Sequence, residues 1–191
     1  MKIPSFFETL GVSISYYTAK ETCYMTLNHP KNHVAPIESD SKPKVLYLDD
    51  DQGNLDSFKA NFRDQFEIIT TSNPVEAYNL IEPEGIQIVI ADHNMPGMSG
   101  VEFLESLSND FPRVQRILLT GYTEMIPVVE AINKSRVFGV LTKPFNINEI
   151  NAMIKDAWDQ CKEIFEKERT IRQLVRQNQQ FEFILRQRLL S

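Results

Sequence analysis

Apolar residues along this chain come in short blocks, and the spacing of the blocks changes character twice. Blocks at 45–48, 86–91, 116–120 and 137–142 are short, rich in β-branched and other apolar residues, and lack a clean polar alternation. That pattern is expected of parallel strands covered on both faces. Residues 66–70 form a fifth block of this kind. Helix-sized segments lie between them. Asn73-Pro74-Val75-Glu76 has the marks of a helix start: a side chain that can cap, a proline in the first turn and a glutamate three residues past the cap. Asn146-Ile147-Asn148-Glu149 repeats the logic. Strand and helix alternating over about 115 residues predict an α/β fold, a doubly wound sheet of five parallel strands with right-handed crossovers.

The flanks read differently. Residues 1–42 carry no sustained period and end in a stretch rich in proline, serine and charge, so they are expected to be an N-terminal extension and linker. Glu8 interrupts the mildly apolar start and no cleavage site follows, so no signal peptide is expected. From residue 146 onward the pattern is helical, with no proline or glycine. A 3-4 spacing runs through Ile147, Ile150, Ile154, Ala157, Cys161 and Ile164, then Glu168, Ile171, Val175, Asn178, Glu182, Leu185 and Leu189. Leu174 and Phe181 offer a competing register. A helix of this length outruns the sheet, so only its first three or four turns can pack there. The heptad spacing predicts a coiled-coil-like extension over 159–191 that pairs two copies of the chain into a homodimer.

Composition changes little in this picture. The chain has 191 residues, 42% hydrophobic and 24% charged, which suits one domain of about 43–158 with extensions. A net charge of -6 argues against nucleic-acid or membrane binding, and no apolar run is long enough to span a bilayer. Cys23 and Cys161 stand far apart, which fits a reducing, cytoplasmic setting and no disulfide framework. His29 and His33 are four apart, but Pro30 between them argues against a shared helical face.

Chemistry gathers where the strands end. In an open parallel sheet, ligands bind outside the carboxyl ends of the strands. The first strand block is followed by Asp49, Asp50 and Asp51, the third by Asp92, the fourth ends in Thr120 and Gly121, and the fifth in Lys143-Pro144. Asp49, Asp50 and Asp92 would bring three negative charges together. Two like charges about 4 Å apart repel by about 4 kcal/mol at an effective dielectric of about 20. Lys143 offsets one, and a divalent cation would offset the others; carboxylate oxygens suit Mg2+. A carboxylate can also serve as the nucleophile that forms an aspartyl phosphate, with Thr120 and Lys143 bonding the phosphoryl oxygens. His93, beside Asp92, reads as a loop residue rather than a base.

Four segments carry a family resemblance: Val-Leu-Tyr-Leu-Asp-Asp-Asp at 45–51, Ile-Val-Ile-Ala-Asp-His-Asn-Met-Pro-Gly-Met-Ser-Gly at 88–100, Ile-Leu-Leu-Thr-Gly at 117–121 and Leu-Thr-Lys-Pro-Phe at 141–145. In order and at domain spacing, they resemble the signatures of two-component response-regulator receiver domains. The resemblance implies a flavodoxin-like fold with Asp92 as phosphoacceptor. It implies Mg2+ bound directly by Asp50, Asp92 and the backbone carbonyl of Asn94, with Asp49 completing the acidic pair. Thr120 and Lys143 would attend the phosphoryl group, and the Lys143-Pro144 bond would be cis. The implied donor is a sensor histidine kinase or phosphotransfer protein; the output partner is unspecified. The domain would catalyse only its own phosphoryl transfer. Alternatively, it regulates a longer output enzyme or serves as a non-phosphorylated scaffold. One departure stands out: Val140 occupies the position, three before the lysine, where many receivers carry an aromatic residue.

Overall fold

The structure is a computed structural model of the chain; it describes residues 41–121 and 136–189, apart from the side chains of residues 182, 183, 186, 188 and 189. The expectations for residues 1–40, including the histidine pair, lie outside the described residues. Five strands form one parallel sheet: β1 (Lys44–Leu48), β2 (Glu67–Thr71), β3 (Ile88–Asp92), β4 (Gln115–Gly121) and β5 (Gly139–Lys143). Their order is β2-β1-β3-β4-β5. The described helices are α1 (Gln52–Phe62), α2 (Pro74–Glu84), α3 (Gly100–Asp110) and α4 (Ile147–Leu189). The predicted flavodoxin-like doubly wound sheet and long C-terminal helix are both present.

The lack of polar alternation has a direct cause. Leu46, Leu48, Val89, Ala91 and Leu118 pack on one face with residues of α2 and α3. Val45, Tyr47, Ile88, Ile90, Ile117 and Leu119 pack on the other, with α1 and the start of α4. Alternate residues of each strand thus meet different helices, and both faces must be apolar. Strand edges differ by a residue or two from the apolar blocks. Ile86 is fully buried yet precedes β3, because it closes α2: Gly85 sits at φ 65°, and the Ile86 N–H donates to the Ile81 carbonyl at 2.9 Å. Burial requires apolarity there without a ladder partner.

Helix starts follow the local chemistry. The Asn73 side chain accepts from the N–H groups of Val75 and Glu76, with Pro74 opening α2. Glu76 does not return the bond to Asn73; its carboxylate takes the Thr71 hydroxyl instead. At α4 the exchange is reciprocal, with Glu149 N–H to Asn146 Oδ1 at 2.9 Å and Asn146 N–H to Glu149 Oε2 at 3.4 Å. Ser99 and Glu102 form a capping box at α3.

Helix α4 docks on the sheet through Ile150, Ile154 and Ala157, with Cys161 also buried. Burial pushes the Cys161 thiol pKa up to about 12. Contact continues further: Arg113 Nε, in the turn before β4, reaches Glu168 Oε1 at 2.8 Å. Glu168, an acidic residue on the predicted seam, is thus an intramolecular partner of the receiver's own Arg113. Beyond it, Ile171 (52% exposed), Leu174 (54%), Phe181 (65%) and Leu185 (61%) face solvent. Among the described residues, no helix is long and apolar enough to cross a membrane.

Candidate phosphoacceptor site

Four of the five strands, β1, β3, β4 and β5, each deliver a part of the site at the carboxyl end. Register pairs Leu48 with Ala91, Asp92 with Leu119 and Gly121 with Lys143. Asp49, Asp92 and Lys143 consequently meet although they lie far apart in sequence. Lys143 Nζ stands 2.5 Å from Asp92 Oδ1 and 3.1 Å from Asp49 Oδ2. Asp49 is fully buried and Asp92 is 6% exposed, while Asp50 is exposed. Asp49, Asp50 and Asp92 each bring a carboxylate oxygen within 4.8 Å of the others. Asp51 turns away to serve as the N-cap of α1, accepting from the Asn54 N–H. Thr120 is fully buried, one residue beyond the partner of Asp92 in β4. The Lys143-Pro144 bond is cis, as expected.

The two buried carboxylates are held unequally. Asp49 Oδ2 accepts from the Tyr47 hydroxyl at 2.5 Å, and the Asn54 amide spans both oxygens at 3.0 and 3.1 Å. The Asp51 N–H adds a bond to Oδ1 at 2.9 Å. A carboxylate has about four lone-pair positions, so the donors around Asp49 fill it. Asp92 has far less support: Lys143, and the Asn94 N–H at 3.2 Å from Oδ2. Their acidities follow. Burial alone would raise both. At Asp49 the hydrogen bonds from Tyr47, Asn54 and Asp51 and the charge of Lys143 overcome burial, and its pKa falls below the ordinary value.

 At Asp92, burial, helped by the Asp49 charge, outweighs the Lys143 contact, and its pKa is raised. Burial works against the Lys143 charge, but the two carboxylates outweigh it and raise its pKa.

The donor set fits a hard divalent cation, since it is all oxygen and carries an excess of negative charge. Asp50 and Asp92 have oxygens to spare for it. Asp49 has its lone pairs engaged and would contribute mainly charge. The loop after β3 is folded tightly back: His93 N–H donates to Leu119 O at 2.8 Å, and Gly100 N–H donates to His93 O at 3.0 Å. A Cβ on Gly100 would overlap the Asp92 carbonyl. Among the described residues, His93 Nδ1 is buried without a hydrogen-bond partner. Sequence reasoning assigned no role to Tyr47, Asn54 or Gly100. Tyr47 had one readable signal, its place two residues before Asp49, a spacing that turns both side chains to the same side of an extended chain.

Residues 45–155 match the family model described as the response regulator receiver domain. The chain belongs to this family. The receiver is 28% identical over 116 residues to sporulation initiation phosphotransferase F of Bacillus subtilis, covering 59% of this chain and 90% of that protein. It is 29% identical over 107 residues to the hydrogenase transcriptional regulatory protein HoxA of Cupriavidus necator, covering 56% of this chain. The chain spans only 22% of that regulator's length, and 23% of its Bradyrhizobium diazoefficiens counterpart. Among solved structures, a response regulator receiver domain protein from Clostridium thermocellum superposes with a TM-score of 0.60 at 26% identity, covering 64% of this chain and 98% of that one. A structure described as adenylate cyclase from Rhodopirellula baltica superposes with a TM-score of 0.65 at 28% identity, covering 69% and 98%. In this receiver Val140 is half-buried against the cluster that contains Leu118.

Proposed function

We propose that this receiver is a phospho-accepting switch in which Asp92 takes a phosphoryl group from a sensor histidine kinase or phosphotransfer protein. The observation that carries the reading is the placement of Asp92: a buried carboxylate, poorly supplied with donors, with the Lys143 ammonium 2.5 Å away and two further carboxylates beside it. An Asp92 carboxylate oxygen attacks phosphorus, the phosphorus–nitrogen bond to the donor imidazole breaks, and the imidazole keeps the electron pair and takes up a proton. An aspartyl phosphate results. Lys143 moves its contact from the carboxylate to a phosphoryl oxygen, and the Thr120 hydroxyl donates to another. A Mg2+ ion held by Asp50, Asp92 and the Asn94 carbonyl, with Asp49 alongside, supplies charge neutralisation when bound. The phosphoryl group adds about 1.5–2 negative charges and shifts a pre-existing conformational equilibrium.

The proposed setting is the cytoplasm, where such phosphodonors work. The exposed stripe of α4 supports a homodimer. A second reading, in which this receiver regulates a longer output protein, is favoured by one observation: the chain spans under a quarter of the length of the hydrogenase regulators it matches. Labelling with radioactive acetyl phosphate tests the main reading. Wild type should label with Mg2+ and fail to label in excess chelator, and Asp92→Asn should not label at all. Equal labelling of Asp92→Asn would sink it. Asp50→Asn should weaken the metal dependence more than Asp49→Asn.

A further inference from the structure

The least expected feature of the site lies behind the acidic pair. Lys143 sits between two carboxylates of equal formal charge, yet it stands 2.5 Å from Asp92 and 3.1 Å from Asp49. Charge alone does not choose between them. Hydrogen-bond supply does. The Tyr47 hydroxyl occupies the same Asp49 oxygen, Oδ2, that faces Lys143, and the Asn54 amide bonds it as well. An ammonium group gains less from a carboxylate whose lone pairs are already engaged.

Tyr47 is held for this task. Its ring is 1% exposed and stacks on Phe58 with centroids 4.2 Å apart. The hydroxyl reaches past the end of β1 to Asp49. Burial and the Asp49 carboxylate raise its pKa, so it remains a donor. Asn54 arrives from the first turn of α1, which Asp51 caps. The same turn that starts the helix thus aims the amide at Asp49.

We propose that Tyr47 and Asn54 are positioning residues that satisfy Asp49 with neutral donors and thereby deliver Lys143 to Asp92. The proposal rests on Asp92 as the phosphoacceptor, and extends it to residues that never touch the phosphoryl group. In Tyr47→Phe the ring and its stacking remain and one donor is lost. Lys143 should then move toward Asp49, whose Oδ2 has lost the shortest of its donors.

The experiment has two arms on the full chain. The first records the Lys143 side-chain nitrogen resonance by NMR in metal-free protein, assigned with Lys143→Arg. It should shift in Tyr47→Phe and in Asn54→Ala, and stay in place in Ser57→Ala, a neighbour on α1. The second measures labelling by acetyl phosphate at saturating Mg2+, where both variants should be slower by about tenfold, the cost of redirecting one charge-assisted hydrogen bond. Asn54 is exposed, so Asn54→Ala serves if Tyr47→Phe fails to fold. An unmoved Lys143 resonance with unchanged labelling, in folded variants, overturns the proposal. Absence of labelling in wild type would instead count against Asp92 as acceptor, and the resonance arm would still report on Lys143.

Discussion

At the residue scale, the acidic site is a place where the demands of folding and of the proposed chemistry pull apart. Asp92 is buried with few donors, and its pKa is raised. A carboxyl with a raised folded pKa binds its proton more tightly in the folded state. Its contribution to stability is full below the unfolded pKa and is lost as pH rises through the folded one. Ionised Asp92 therefore opposes folding at neutral pH. Asp92→Asn is expected to raise the urea midpoint of the metal-free protein at neutral pH. The gain should shrink as the solution is acidified through the carboxylate range. An Asp92→Asn variant less stable than wild type at neutral pH would show that the Lys143 contact outweighs burial. Asp49 has the opposite sign: its depressed pKa gives stability that is present above the unfolded value and lost on acidification.

At the scale of elements, short loops place the site. The β3–α3 loop is closed by the Gly100 N–H on His93 O and by the capping box of Ser99 and Glu102. Ser99→Ala removes one cap and should cost about 0.5–2 kcal/mol in denaturant melts, with labelling of Asp92 retained. Gly100→Ala sets a methyl group against the Asp92 backbone, where no flexible side chain can give way. It should cost more than the cap and also slow labelling, because the backbone that carries Asp92 must shift. Equal stability losses with unimpaired labelling in both variants would remove Gly100 from the site. Gly139 differs: a Cβ there would meet only the end of the flexible Met153 side chain, which can swing aside.

For the whole molecule, the decisive feature is where α4 leaves the receiver. Contact persists through the Arg113–Glu168 ion pair, and the exposed apolar stripe begins at Ile171. From Arg169 to Leu189 the helix would extend about 31 Å. Among the described side chains, six large apolar ones are exposed on it: Ile171, Leu174, Val175, Phe181, Ile184 and Leu185. Fully burying a side chain of this size is worth about 1.5–3 kcal/mol. Asn178 lies within the same arc, a poor residue for a lipid surface and a suitable one for fixing the register of paired helices. Light scattering should find a dimer for the full chain and a monomer for a truncation after Glu168. Truncating there spares Cys161 and the Arg113 contact, which a cut near Gln160 would remove. A monomeric full chain at tens of micromolar, or a truncated chain that dimerises equally well, would refute the pairing.

The sequence by itself determined the five strands, the helix starts at Asn73 and Asn146, and the identity of the residues at the strand ends. Apolar period and chain order suffice for that, because a parallel sheet puts all its carboxyl ends on one edge. Asp49, Asp50, Asp92 and Lys143 were legible on those grounds, before any distance was known. Tertiary structure alone decided the rest. The unequal reach of Lys143, the Tyr47 and Asn54 bonds to Asp49, the closeness of Gly100 to the Asp92 carbonyl and the Arg113 partner of Glu168 all depend on separations across elements. Hydrogen-bond strength and steric overlap change over fractions of an ångström. Residue spacing along one chain does not carry that information; the packing of one element on another does.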